Sequence, residues 1–379
     1  MLLFLKCYLL VLSISTVIGA PYETESSLRA GFGKADITGP IGAIPIQGYL
    51  LFSQLANGIH TRLYARACIM GDATNRVVYI SADAWGISGF ALENAIRIVS
   101  NPLYTIKNVM VSATHTHSTP SGTMETFLYS SNALGKVQGQ REALQNGIAK
   151  AILLAHQNFE EHRAVTATVE VGQVLGASRN RSPQAYIANP ETERAKYDAD
   201  VDRSITTLTF RDETSGIARA VFSWFPVHGT SFSKKYHYVT GDNKGFASYI
   251  WEKEEAERGN TEFIAAFGQS NAGDVTPNTS DPTCLDSGLP CDSSSASCPD
   301  KYGIPQNGMC VAKGPGGDNE NESAKIIGTA SARAAQATSA GNGGRKLSGP
   351  VQFRHVFVDM SNVEIQFNGG KASTCTPVL

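Results

Sequence analysis

The sequence predicts a mixed αβ (α/β) fold in which helices cover a β-sheet core and one loop is stapled by disulfides. Three observations carry this expectation. Short β-branched and apolar runs alternate with longer segments of helical spacing. No internal repeat or heptad run breaks the alternation. Four cysteines, Cys284, Cys291, Cys298 and Cys310, crowd into a stretch rich in Ser, Pro, Gly and Asp.

Taken in order, residues 77–80 form a short β-branched and aromatic strand leading into Ser81-Ala82-Asp83. Residues 90–99 have helical spacing, with Leu92, Ala95, Ile96 and Val99 on one face. A strand at 108–113 ends in Thr114-His115-Thr116-His117, and 138–159 reads as a long amphipathic helix with Leu144, Ile148, Ile152 and Ala155 in register. Residues 165–171 alternate as a strand, with Val165, Ala167, Val169 and Val171 on one face; 205–210 is a further strand. The nearly continuous apolar run 220–224 predicts a buried strand, 262–267 another, and the Ala-rich segment 323–337 a helix.

The chemistry-bearing residues lie just after these strands, where the loops of an αβ sheet converge. The segments are 112–121 (SATHTHSTPS), 225–231 (FPVHGTS) with 240–243 (TGDN), 267–278 (FGQSNAGDVTPN) and the polar turn 178–183 (SRNRSP). In an extended chain alternate residues share a side, so His115 and His117 can face one cavity. Zinc takes neutral imidazole and keeps a position open for water at catalytic sites. An H-x-H alone is as compatible with a hydrogen-bonded structural pair. His228, placed after a buried strand, makes a third such histidine and raises the odds of a ligand set. His156, His162 and His355 read as structural, and His60 and His237 stay unassigned. A metallo-phosphoesterase would want Asp/Asn-rich ligand sets that the chain lacks.

Charge bounds the partners. Lys+Arg 32 against Asp+Glu 34 leaves a net charge of −2, which gives no basic footprint for nucleic acid. Residues 1–20 carry one charge, Lys6, then an apolar run ending in Gly19 and Ala20. This is the layout of a secretory signal peptide, with an uncleaved anchor as the competing reading, and no other stretch approaches transmembrane length. The mature chain is expected to be exported. In an oxidising compartment the four clustered cysteines read as two disulfides; the widely spaced cysteines lack the tight C-x₂₋₄-C pair of a zinc knuckle. Four cysteines allow three pairings. Cys68 and Cys375 remain over. Asn278 and Asn321 stand in glycosylation sequons, whereas the one at Asn180 is followed by Pro183.

Several long motifs, in order, resemble those of neutral ceramidases, the secreted zinc amidases that split ceramide into sphingosine and a fatty acid. They are GKADITGP, RLYARA at 62–67, THTHS, NRSP followed by YIANPETERAKYDADVD, WFPVHGTS with TGDNKGFASY, FGQSNAGDVTPN and CLDSGLPC. The resemblance runs from about 28 to about 378. It implies that His115 and His228 are zinc ligands, that His117 is the neighbouring pocket histidine, and that Arg181 helps hold substrate. It implies overlapping Cys284–Cys298 and Cys291–Cys310 bridges, and a ceramide substrate met at a membrane or micelle surface. The family carries a catalytic serine where this chain has Thr276, whose extra methyl restricts χ1. Family members also continue through a glutamate and a tyrosine that complete the zinc site, and then an immunoglobulin-like carboxyl-terminal domain. With Leu379 as the last residue here, residues 21–379 read as an incomplete catalytic domain following the signal 1–20, and Cys375 as lacking its downstream partner. Asp83, Asp242 and Asp274 are alternative ligands that nothing in the sequence separates. The expectation is a zinc amidohydrolase with weak turnover; the alternative is a non-catalytic secreted ceramide or lipid binder.

Overall fold

The computed structural model describes residues 28–373 except 73–74, 162–163, 296, 301, 342, 360–362 and 368–369. The expected signal 1–20, His162, Cys375 and Leu379 lie outside the described residues.

The first sheet contains β1 (Arg29–Asp36), β2 (Tyr64–Gly71), β3 (Arg76–Ala82) and β4 (Val109–Ala113), in that spatial order. Pairing is antiparallel except for β3 with β4, which run parallel. That parallel pair needs a crossover, and α1 (Gly89–Val99) supplies it. Ser88 caps α1 by accepting from Ala91 N–H, as a Ser at this position does. The long α2 (Gln138–Glu160) lies on the same outer face, burying Leu144, Ile148, Ile152 and Ala155 against Ala65, Ala67, Val78 and Ile80. Its approach is close because β1 presents glycine: a Cβ on Gly31 would sit 2.2 Å from the Ala155 carbonyl oxygen.

The second sheet contains β5 (Val165–Gln173), β6 (Ser204–Asp212), β7 (Ala218–Trp224), β8 (Ile264–Gly268) and β9 (Arg345–Lys346), ordered β8-β7-β6-β5-β9. Only β8 and β7 run parallel, and α3 (Asp242–Glu257) lies in the connection between them. Helices α3 and α4 (Glu320–Ala340) cover this sheet's outer face with Ala247, Trp251, Ile327 and Ala335.

Strand periodicity explains how the two sheets meet. In β7 Val221 faces the helices while Ala220 and Phe222 face the other sheet; in β8 Ala265 and Phe267 alternate in the same way with Ile264 and Ala266. The inner faces join through Phe32, Phe210 and Phe222, giving four layers: helices, sheet, sheet, helices. Phe32 and Phe210 have ring centroids 5.2 Å apart, and Trp224 Nε1 donates across the layers to Tyr79 Oη at 2.8 Å.

All nine predicted elements are present, with ends shifted by a few residues. Three details differ from expectation. Val171 is 63% exposed, because only the first half of β5 lies over the core. Glu262 precedes β8 in a turn beside Arg219 rather than in the strand. His355, read as structural, lies in an exposed stretch without regular structure, its ring 4.7 Å from that of Phe357. In the cysteine-rich loop, Cys284 bonds Cys298 and Cys291 bonds Cys310.

Candidate metal centre

The candidate centre forms where loops from both sheets meet. β4 ends at Ala113, and the chain continues against the first layer through Thr114 N–H to Ala82 O and His115 N–H to Ala84 O. His115 then adopts φ 63°, a left-handed conformation that costs a non-glycine residue and is common at functional sites. From the second sheet, the loop after β7 brings His228. The two loops zip together at Thr116 and Gly229, with His117 N–H donating to Gly229 O at 2.8 Å. Glycine is required there, since a Cβ on Gly229 would lie 2.4 Å from His115 O. Gln269, just after β8, clamps both loops: Nε2 donates to Thr114 O and Val227 O, and Oε1 accepts from Val227 N–H.

His115, His117 and His228 therefore converge, with ligand nitrogens all within 4.8 Å of one another. His117 and His228 are buried and His115 is half-buried. His115 Nδ1 is 2.7 Å from Trp85 O, and His228 Nδ1 is 2.9 Å from Ala272 O. A carbonyl oxygen only accepts, so in each neutral ring the proton sits on Nδ1 and Nε2 carries a lone pair. Those two Nε2 atoms face each other at 3.1 Å. Two opposed lone pairs repel unless something positive lies between them. Ligands on a tetrahedral zinc, with bonds of about 2.05 Å, stand about 3.3 Å apart, so this spacing fits a shared metal ion.

The third histidine adds an independent sign. Both ring nitrogens of His117 are buried without a hydrogen-bond partner, a state costing about 1–3 kcal/mol per group unless a ligand or ion resolves it. Burial first, then the neighbouring imidazoles and Arg181, push His117 down to about 3. Burial likewise takes His228 down to about 4, against the raising effect of the Ala272 carbonyl, and lowers His115. Near neutral pH all three rings are uncharged, the form that binds metal. Aromatic walls fix them: Trp85 lies 5.6 Å from His115, and Tyr49 meets His117 edge-on at 5.1 Å.

The other predicted site residues fall on the neighbouring wall. Arg181 follows the short strand Arg179–Asn180, which pairs with Val275–Thr276. Its backbone N–H donates to Asp274 O and its Nε to Gly273 O, at 2.8 and 3.0 Å. The same turn supplies the Ala272 carbonyl to His228, so Arg181 and His228 share one support. Thr276 lines a cavity of about 320 Å³ with Arg181, Asn180 and Gln184. Its hydroxyl accepts from Asn278 N–H at 3.3 Å and bonds to none of the three histidines.

Two departures from the sequence reading stand out. His115 and His117 share a cavity through the left-handed turn at His115 and not through strand alternation. The carboxylate alternatives do not join the histidines: Asp83 pairs with Arg66 at 3.1 Å, and Asp242 accepts backbone N–H groups of Ser231 and Asn243. Among the described residues the histidine cluster contains no carboxylate, and the other close group of ligand types, Cys284, Cys291 and Cys298, is taken up in disulfides. Sequence reasoning missed Trp85 and Tyr49, and it placed Gly229 and Gln269 in the segments after strands without giving either a role.

The model of the family described as neutral/alkaline non-lysosomal ceramidase, N-terminal, matches residues 28–379. Neutral ceramidase A of Dictyostelium discoideum is 40% identical over 365 residues, covering 93% of this chain and 50% of that protein. The neutral ceramidase of Drosophila melanogaster is 37% identical over 383 residues, covering 98% and 51% respectively. A solved ceramidase complexed with C2 aligns with a TM-score of 0.75 at 30% identity, over 92% of this chain and 49% of that one. The crystal structure of neutral ceramidase from Pseudomonas aeruginosa gives 0.70 at 30% identity, over 86% and 46%. The chain spans about half the length of the curated relatives it matches.

Proposed function

The chain belongs to the neutral/alkaline non-lysosomal ceramidase family, and we propose that it acts as a secreted, zinc-dependent amidohydrolase cleaving ceramide to sphingosine and a fatty acid. The observation that carries the reading is the pair of opposed Nε2 atoms of His115 and His228 at 3.1 Å. His115 and His228 would hold the ion, their Nδ1–H groups fixed on Trp85 O and Ala272 O. When bound, zinc supplies Lewis acidity at the amide carbonyl and activates water for attack. His117, with both ring nitrogens free of protein partners, takes a proton from the attacking water and returns it to the leaving amine as the C–N bond breaks. Arg181 holds the polar end of the substrate, and Thr276 orients it from the adjoining wall.

Secretion is supported by the two disulfides of the 284–310 loop and by the composition of residues 1–20. No helix among the described residues is long and apolar enough to cross a membrane. Ceramide is too apolar to be free in water and would be met at a membrane or micelle surface. The test combines metal content with ceramide turnover, for the wild type and for His228→Ala. Retained zinc with turnover in the wild type, and loss of both in the variant, is expected. Turnover that survives His228→Ala or chelation would remove the metal from the mechanism.

A further inference from the structure

The first turn of α3 carries three consecutive polar side chains, Asp242, Asn243 and Lys244, each no more than 2% exposed. None of them reaches the imidazoles. All three instead grip the loop that carries His228. Lys244 Nζ donates to Phe225 O at 2.5 Å and lies 4.8 Å over the Phe225 ring. Asn243 Nδ2 donates to His228 O at 3.0 Å and to Ser231 Oγ at 3.1 Å. The carboxylate of Asp242, a residue whose own φ is 53°, accepts Ser231 N–H at 3.0 Å. Thr240, two residues before this turn, grips the other histidine loop: its N–H donates to Ser118 O at 3.0 Å, and Thr116 Oγ1 donates to its carbonyl at 2.8 Å.

We propose that segment 240–244 is the positioning element of the metal centre, and that Asn243 is the positioning residue that sets His228 against His115. A buried lysine on one carbonyl and a strained aspartate are costly choices for a helix start. Their common effect is to hold one short segment against both histidine loops. Because the loops come from different sheets, no shared strand fixes the gap between the two Nε2 atoms; this segment supports it from behind, beside the Thr116–Gly229 bridge and the Gln269 clamp. The backing is rigid as well, for a Cβ on Gly328 of α4 would stand 2.6 Å from Asn243 O.

The proposal rests on the metal-centre reading, and its test reads metal binding and not turnover. Zinc affinity, by competition with a chromophoric chelator, and the visible spectrum of the cobalt-loaded protein are measured for the full chain. Asn243→Leu keeps the volume and removes both donors. Ile152→Val, in α2, reports what general loosening of the core does. The expected result is an affinity lower by about tenfold to a hundredfold and a shifted cobalt spectrum for Asn243→Leu, with neither change for Ile152→Val. If circular dichroism shows that Asn243→Leu does not fold, Ser231→Ala, which removes one anchor of the same amide, is expected to shift the cobalt spectrum and weaken affinity to a smaller degree. Wild-type affinity and spectrum in the folded variant, or a change no larger than in Ile152→Val, would overturn the proposal. A wild-type chain that binds neither ion would overturn the metal-centre reading itself, before any substitution is made.

Discussion

His115 combines a left-handed backbone with a ring locked by Trp85 O. The identity of the three histidines was legible in the sequence because each follows a strand. Their mutual geometry was not, since it depends on one φ angle and on contacts such as Gly229 with His115 that span more than a hundred residues. Their depressed pKa values give a pH test with a definite sign. Metal requires deprotonated ligand rings; burial pushes His228 down to about 4 and lowers His115 as well. Metal affinity should therefore stay level from about pH 8 to about pH 5.5 and fall below about pH 4. A decline already between pH 7 and 6, measured by chelator competition, would show that the rings titrate as free imidazoles. Thr276 makes a second case. Its hydroxyl is tied to Asn278 N–H, and the residue lines the cavity shared with Arg181. Thr276→Ser should raise kcat on the order of tenfold with little change in KM, because misplacements below 1 Å cost factors of that size. An unchanged kcat would mean that the extra methyl group does not displace the hydroxyl from its working position.

At the scale of elements, the long amphipathic and β-branched segments were readable and the glycine-bearing ones were not. β1 reads RAGFGKAD, and its two glycines weaken a strand signal while admitting the backbone of α2. α3 was missed for a related reason: its first turn buries polar residues and its last is charged, so no apolar stripe runs its length. The cysteine-rich loop has only two-to-three-residue strands of its own and depends on its bridges. Closing loops with sequence separations of 14 and 19 is worth about 3 kcal/mol each in the chain-entropy model. Replacing Cys291 and Cys310 together by Ser should thus lower unfolding free energy by about that amount, read from urea denaturation. Since Cys310 lines the cavity beside Thr276, substrate KM should rise as well. A loss under about 1 kcal/mol would indicate that the loop unfolds apart from the rest.

Over the whole molecule the four layers are held by more than apolar packing. Arg66 of β2 reaches Asp83 at 3.1 Å and Glu252 of α3 at 2.8 Å, joining the first sheet to a helix of the second. Both carboxylates are nearly enclosed; Arg66→Met would leave Asp83 only the Tyr64 N–H and Glu252 only Lys34 and the Ala265 N–H, and should cost about 3–5 kcal/mol, measured by chemical denaturation. A near-neutral effect would mean that water reaches both carboxylates when the guanidinium is gone. The αβ class was legible from alternation alone, but the division into two facing sheets was not, because strand order depends on pairings the sequence does not display. That division also bears on time. His115 and His228 belong to opposite sheets, so neither sheet can assemble the pair until the two have docked. During refolding, metal capture should lag behind the recovery of far-ultraviolet ellipticity, and a metal-sensitive dye present in the refolding mixture becomes a clock for the moment the layers close.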